Sequence, residues 1–220
     1  GGSVTYATRI GFREIAVRGH DLLVNGKPVK LRGVNRHEVH PLRGRAGCAD
    51  LARRDVEIFK AGNVNFIRTS HYPPPEELLD AADELGMFVE CECALCWVGD
   101  VNRKPWKNRD AKSPEYLDLH LRANAANVAA HRNHPSVILW SLANESAWSD
   151  SFAAAQTLVK QLDPTRLTIF HNINEHGQAD IMNHHYPELF QHKQPGELLA
   201  DRNKPLLIGE TTHVQVYNRS

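Results

Sequence analysis

The chain changes rhythm near Leu31. Ahead of it, residues 1–30 read as β-like and turn-rich. The stretch from Gly19 to Pro28 is a strand that runs into Asn25-Gly26, the strongest short hairpin signal. Beyond Leu31, short apolar runs alternate with helical patterns, as in βα units around a parallel sheet. Strands are expected over 30–35, 64–68, 87–92, 136–142, 166–170, 180–184 and 205–209. The run 136–142 is almost continuously apolar, which suits a parallel strand buried on both faces. Helices are expected over 50–61, from Pro73-Pro74-Pro75 to Gly86, over 114–131, over 150–162, and near 195–201. The first carries Leu51, Val56, Ile58 and Phe59 as apolar positions, with Asp50 as N-cap and Gly62 as stop. The second places Leu78, Leu79, Ala82 and Leu85 on one face, and the third spaces Leu117, Leu121 and Val128 helically.

Seven strand-like units point to a known architecture. A closed (β/α)₈ barrel needs eight strands and about 250 residues, and roughly 190 residues follow the hairpin region. The expected fold class is therefore α/β, a (β/α)₈ TIM barrel truncated after its seventh strand, with a short hairpin-like N-terminal segment. The expected organisation is residues 1–29 as that β segment and 30–220 as the barrel, incomplete at its C-terminus.

Composition narrows the chemistry. The chain has 220 residues and is 41% hydrophobic, enough for a buried core. Lys plus Arg is 26 and Asp plus Glu is 26, so the net charge is zero. That gives no support for a nucleic-acid partner or a basic membrane-surface segment. The longest apolar runs are about five residues, far short of a membrane span. No signal-peptide pattern is visible, which favours the cytoplasm. Four cysteines are too few for a disulfide scaffold. Cys91, Cys93 and Cys96 read as packing thiols rather than metal ligands, with Cys91 and Cys93 on one strand face and Glu92 on the other. The 13 histidines are the first hint of chemistry.

In such a barrel the chemistry sits at the C-terminal strand ends. Those ends carry Asn35 to Pro41, Arg68 to Pro73, Glu92, Asn144-Glu145-Ser146, His184-His185-Tyr186 and Gly209 to His213. Glu145 and Glu210 each close a nearly apolar strand, so both point into the mouth. Two carboxyls in one pocket are what glycosidic cleavage needs, one protonated and one ionised. Arg68 is the candidate cation that keeps the nucleophile ionised, and Asn144 can bond a sugar hydroxyl or its carboxylate neighbour. Glu92 and Glu38 are expected as supporting residues. His40, His184 and His185 are candidate site histidines. His20, His120, His131, His176 and His192 read as surface or packing residues. Trp97, Trp106, Trp140 and Trp148 all read as core candidates, with Trp97 or Trp148 near the rim as a stacking face for a sugar.

The runs Asn35-Arg36-His37-Glu38, Arg68-x-Ser70-His71-Tyr72-Pro73, Asn133-His134-Pro135-Ser136-Val137-x-x-Trp140-Ser141-Leu142-x-Asn144-Glu145-Ser146 and Gly209-Glu210-x-x-His213 resemble the catalytic barrel of glycoside hydrolase family 2. The likeness is strongest to its β-galactosidases and covers the chain from about Gly11. It implies Glu145 as general acid/base and Glu210 as nucleophile of a retaining double displacement. It implies Tyr186 beside the nucleophile, and His37, Arg68, His71 and Asn144 as residues that hold the sugar and steer the carboxylates. His213 resembles the histidine that helps bind the galactosyl ring. The family's β-galactosidases commonly place a Glu and a His after the third strand as magnesium ligands; those positions are Cys96 and Val98 here, so no cofactor is expected. The implied partners are a carbohydrate substrate and the rest of a larger multidomain chain or a second copy. Residues 1–29 then resemble a remnant of the sandwich region that precedes the barrel, or a barrel lid. Alternatives are a β-glucuronidase or β-mannosidase of the same family, a non-catalytic carbohydrate-binding fragment, and a metal-dependent barrel hydrolase using His37, His40, His184 or His185.

Overall fold

The computed structural model describes residues 3–5, 7, 9–99, 114–172, 178–186 and 203–212. The chain opens on a small antiparallel sheet in which β1 (Ile15–Arg18) and β3 (Lys27–Pro28) flank β2 (Asp21–Val24). Asn25 and Gly26 make the turn between β2 and β3 with φ of 51° and 72°. Two left-handed residues in succession suit the twist of a tight hairpin, and Asn-Gly tolerates them best.

The larger sheet is parallel and follows chain order. It runs β4 (Gly33–Arg36), β5 (Phe66–Thr69), β6 (Phe88–Glu92), β7 (Val137–Ser141) and β8 (Leu167–Ile169). A parallel bridge from Ile169 to Ile181 carries the order on to β9 (Met182–His185), which pairs in parallel with β10 (Leu206–Glu210). The crossovers hold α1 (Ala49–Ala61), α2 (Glu76–Leu85), α3 (Leu117–His131) and α4 (Asp150–Leu162). All seven expected strands form. The helix expected near 195–201 lies outside the described residues. Among the described residues no strand pairs β10 with β4; instead Asn35 Nδ2 donates to the Gly209 carbonyl at 3.0 Å across that gap.

Two apolar layers hold the sheet. One lies between the strands and the helices and includes Val56, Leu78, Leu79, Val89, Cys91, Trp140 and Phe152. Leu78 and Leu79 are fully buried, and each such side chain contributes about 1.5–3 kcal/mol. The second reaches the strand starts, where Phe66, Phe88, Leu167 and Leu207 gather with Leu22 of the N-terminal hairpin. The hairpin thereby covers the end of the sheet opposite the strand C-termini.

Some local expectations are corrected. The N-cap of α1 is Cys48, two residues before Asp50, because Cys48 keeps extended backbone and its carbonyl accepts from the Ala52 N–H. Ile58 of α1 is about half exposed, since only Ala52 and Val56 of that helix face fully inward. The third helix begins as a 3₁₀ turn at Pro114–Tyr116. Its buried face is polar, made by His120, Asn124, Asn127, Val128 and His131, while Leu117 is exposed. Both asparagines find partners: Asn127 Nδ2 donates to the Cys91 carbonyl at 3.3 Å, and Asn124 Nδ2 donates to its own helix at 3.0 Å; the His120 ring stacks on Phe152. Cys91 and Cys93 are both buried free thiols, with burial raising Cys93 to about 12. Among the described residues no helix is long and apolar enough to cross a membrane.

Much of the run from His134 to Ser146 serves architecture. His134 Nδ1 meets Asp83 Oδ2 at 2.7 Å, and Asp83 Oδ1 accepts from the Ser136 N–H at 2.8 Å, which ties α2 to the start of β7. The buried Arg166 donates to the carbonyls of Arg132, His134 and Val137, each at 2.7 Å. Its guanidinium also lies 5.3 Å from the Trp140 ring centroid. Trp140 donates to Asp163 and is core, as expected.

Candidate active site

The strand C-termini converge on one buried cation. Arg68, at the end of β5, is almost wholly enclosed. Its Nε donates to Glu92 Oε2 at 2.8 Å, one terminal nitrogen to Glu210 Oε1 at 2.9 Å, and the other to Asn144 Oδ1 at 2.7 Å. Glu90 Oε1 stands 3.4 Å from Nε. Parallel pairing builds this cluster, because Arg68 lies in register with Asn35 on one side and Glu90 on the other, and Glu92 with Ser141. Ser141 Oγ donates to Glu92 Oε2 at 2.8 Å. Burial alone would lower the Arg68 pKa; Glu92, Glu90 and Glu210 outweigh it and raise it. Burial alone would raise Glu92; Arg68, His71 and His171 reverse that and hold it far below the carboxylate range.

Glu210 ends β10 with both oxygens engaged. Oε1 accepts from Arg68, and Oε2 accepts from Tyr186 Oη at 2.8 Å. Burial pushes Glu210 up, but His185, Arg68 and Tyr186 together leave it lowered, so it is a carboxylate at neutral pH. Tyr186 itself is raised to about 12, by burial first and then by Glu210, so its phenol stays a donor.

Glu145 faces Glu210 from the end of β7. Its Oε2 accepts the indole N–H of Trp97 at 2.7 Å. Its Oε1 lies 3.6 Å from His185 Nδ1, and Glu210 Oε1 lies 3.7 Å from the same nitrogen. A carboxylate oxygen from each of Glu145 and Glu210, with a His185 nitrogen, falls within 4.8 Å of one another. Trp97, Glu145 and Tyr186 all have left-handed backbone, with φ of 59°, 37° and 45°. Non-glycine residues in that region are uncommon and concentrate at functional sites. Tyr186 lines a cleft of about 930 Å³ together with His37, Arg68, His71, Gly209 and Glu210.

Most sequence-predicted site residues meet here. His71 Nδ1 contacts Glu92 Oε1 at 2.7 Å, and His71 Nε2 lies 3.9 Å from Glu210. His37 packs edge-on against the His71 ring at 5.2 Å, one layer out. Asn144 donates to Cys96 Sγ at 3.3 Å, which fixes its amide so that oxygen faces Arg68. His213 lies outside the described residues, as do His176, His192 and Trp106. Two expectations fail, for Glu38 and His40. Glu38 pairs with Arg36, which also holds Asp55, so it supports a surface loop instead of the carboxylate pair. His40 closes a local turn onto Gly44. Trp148 packs on Phe152 and Phe170 in the core, leaving Trp97 as the rim indole. Of the four histidines offered for a metal-dependent hydrolase, His37, His40 and His184 fall in none of the metal-capable clusters among the described residues, while His185 falls in one with Glu145 and Glu210.

Magnesium does not suit the position after β6. The Cys96 thiol is soft and burial raises its pKa, and Val98 has no donor side chain.

Sequence reasoning missed two inward residues and one hydrogen bond at the rim. Glu90 and His171 are fully buried inside the sheet, and Trp97 holds Glu145. The alternation that sets Cys91 and Cys93 on one face puts Glu90 with Glu92 on the other, so Glu90 was within reach of that rule.

The profile described as glycosyl hydrolases family 2, TIM barrel domain, matches residues 15–216. A β-galactosidase of Kluyveromyces lactis is 34% identical over 93% of this chain and 22% of its own length. A β-galactosidase of an Arthrobacter species is 40% identical over 72% of this chain and 16% of its own. Among solved structures, the β-D-glucuronidase of Dictyoglomus thermophilum superposes with a TM-score of 0.76 at 28% identity, covering 84% of this chain and 34% of that one. The Faecalibacterium prausnitzii β-glucuronidase gives 0.75 at 28%, covering 91% and 38%. The chain thus spans about a fifth of the length of these curated relatives. It belongs to glycosyl hydrolase family 2, and residues 15–216 are that family's TIM-barrel domain.

Proposed function

We propose that the protein is a retaining glycoside hydrolase that releases terminal β-galactosyl groups. The observation that carries this is the closeness of Glu145 and Glu210, whose carboxylate oxygens lie within 4.8 Å. Retaining enzymes hold their carboxyls about 5–5.5 Å apart, whereas inverting ones leave about 6.5–9.5 Å for a water. In the first step Glu210 attacks the anomeric carbon while Glu145 gives its proton to the glycosidic oxygen, and the bond to the leaving group breaks. In the second, Glu145 takes a proton from water, the oxygen of that water bonds to the anomeric carbon, and the Glu210 ester is released. Arg68 and Tyr186 grip Glu210 as a carboxylate and so favour its departure in that second step.

A galactoside is favoured over a glucuronide by charge. A uronate carboxylate calls for a cation, and among the described residues the buried cation of the cleft, Arg68, is already committed to Glu92 and Glu210. The β-galactosidase names of the sequence relatives support the same sugar. A panel of aryl β-galactosides, glucuronides and mannosides, offered to the full-length protein, tests it. Faster turnover of the glucuronide would replace the sugar but keep the mechanism, and binding without turnover of any would leave a carbohydrate-binding module.

The acid role has its own signature. Glu145→Gln is expected to slow substrates with poor leaving groups by about 10²–10⁴-fold, with a much smaller effect on activated aryl glycosides. Equal slowing of both, measured as kcat/KM, would remove Glu145 from that role. The protein is also proposed to work without a metal. Exhaustive EDTA treatment should leave kcat/KM unchanged, and loss of activity restored by magnesium would contradict this.

A further inference from the structure

Behind the carboxylate pair lies a row of buried groups that the two-step mechanism does not use. His185 Nε2 faces His171 Nδ1 at 2.9 Å, and His171 Nε2 makes a close contact with Glu90 Oε1. All three residues are buried, and Glu90 and His171 fully so. At the front end, His185 Nδ1 makes no hydrogen bond among the described residues and points at Glu145 Oε1 and Glu210 Oε1 from 3.6 and 3.7 Å. Tight packing fixes the row. A Cβ on Gly209 would stand 2.6 Å from His171 Cε1 and 2.7 Å from Nδ1, so only glycine lets the nucleophile's strand pass this close.

The direction of the row follows from donors and acceptors. A carboxylate accepts only, so Glu90 takes the proton on His171 Nε2. Burial and then Arg68 lower the His171 pKa, so that ring carries one proton. Its Nδ1 is then bare and must accept from His185 Nε2–H. Whenever the His185 ring carries a single proton, its Nδ1 is left as a lone pair aimed at the carboxyls; a second proton there gives the charge that helps lower Glu210. We infer that Glu90, His171 and His185 form a relay that fixes the His185 tautomer so that its Nδ1 accepts from the protonated Glu145 and keeps the acid's proton in place. His171 and Glu90 are positioning residues acting through His185. The inference rests on reading Glu145 as the acid/base.

The charged and titratable groups facing the relay are Arg68 and His71 from the β5 end, Glu92 from β6, Glu145 from the β7 end, Tyr186 after β9, and Glu210 of β10. In Glu90→Gln the negative charge is gone, and an amide N–H can donate to His171 Nε2. The row then reverses, and His185 Nδ1 becomes a donor that favours ionised Glu145. Both changes release the acid's proton more easily. The alkaline limb of kcat/KM is therefore expected to move down by about one pH unit, with the activity at lower pH largely retained.

The test measures pH profiles of wild type, Glu90→Gln and His171→Gln in the full-length protein, with thermal unfolding as a folding control. In parallel, ¹⁵N-histidine NMR follows the rings over pH, assigned with His171→Gln and His185→Gln. Support is a downshifted alkaline limb in both variants, with the neutral His185 ring keeping its proton on Nε2 in the wild type. A uniform loss of rate with an unmoved limb overturns the relay, as does a neutral His185 protonated on Nδ1. The NMR reading stands apart from turnover. The expected tautomer in a protein that cleaves no glycoside would sink the hydrolase reading and keep the hydrogen-bonded row.

Discussion

Glu210→Gln is expected to abolish turnover, by about 10⁴-fold or more, the scale on which loss of a covalent nucleophile is felt. The amide oxygen still accepts from Arg68 or Tyr186, so the fold should survive. What is lost is the negative charge that attacks carbon and the ester it forms. Activity on an activated aryl β-galactoside reads the effect, because good leaving groups need little help from Glu145 and isolate the nucleophile. Retention of more than about a tenth of wild-type kcat would move the nucleophile elsewhere.

Arg68→Met is expected to produce the largest change in stability. It deletes the cation that neutralises Glu90, Glu92 and Glu210 in a region closed to water. Removing one partner of a buried ion pair costs about 3–5 kcal/mol, because the remaining charge is left uncompensated. The pH dependence carries a sign. In the wild type, Glu92 and Glu210 are depressed in the folded state, so their contribution holds above the ordinary carboxylate range and is lost as pH falls. Without Arg68 the orphaned carboxyls have raised values, and the folded variant gains stability as they take up protons. The gap between the two proteins should therefore narrow as pH drops toward about 5, as read from urea midpoints at each pH. A gap that is constant with pH would mean that Arg68 acts by packing alone. Arg68→Lys should recover only part of the loss, since an ammonium cannot fork between three partners.

The legibility of this chain in its sequence depends on which face a residue occupies. Residues that end apolar strands stood out. Glu145, Glu210, Arg68 and Asn144 interrupt hydrophobic runs at the rim, and the structure brings all four together. The helix over 150–162 was readable to its bounds because Phe152, Ala155 and Val159 keep one apolar stripe. The third helix was readable as a helix but not in orientation. Its buried face is His120, Asn124, Asn127 and His131, and polar residues read as solvent-facing unless their partners are known. Asn127 is satisfied by Cys91, a residue 36 positions away. Glu90 and His171 were hidden for the same reason. Glu90 sits mid-strand in β6 and His171 just past the end of β8, and only curling of the sheet turns them toward each other across 81 residues of chain. Trp97 was noticed as a sugar platform, yet its hydrogen bond to Glu145 depends on a left-handed backbone that no periodicity reveals.

Covalent catalysis by Glu145, just beyond β7, and Glu210 of β10 leaves a direct chemical trace. A 2-deoxy-2-fluoro β-galactoside with an activated leaving group should form a stable ester with the full-length protein. Proteolysis and mass spectrometry should then find one sugar on the peptide containing Glu210. A label on any other residue, or an α-configured first product from the unfluorinated substrate, would contradict the mechanism.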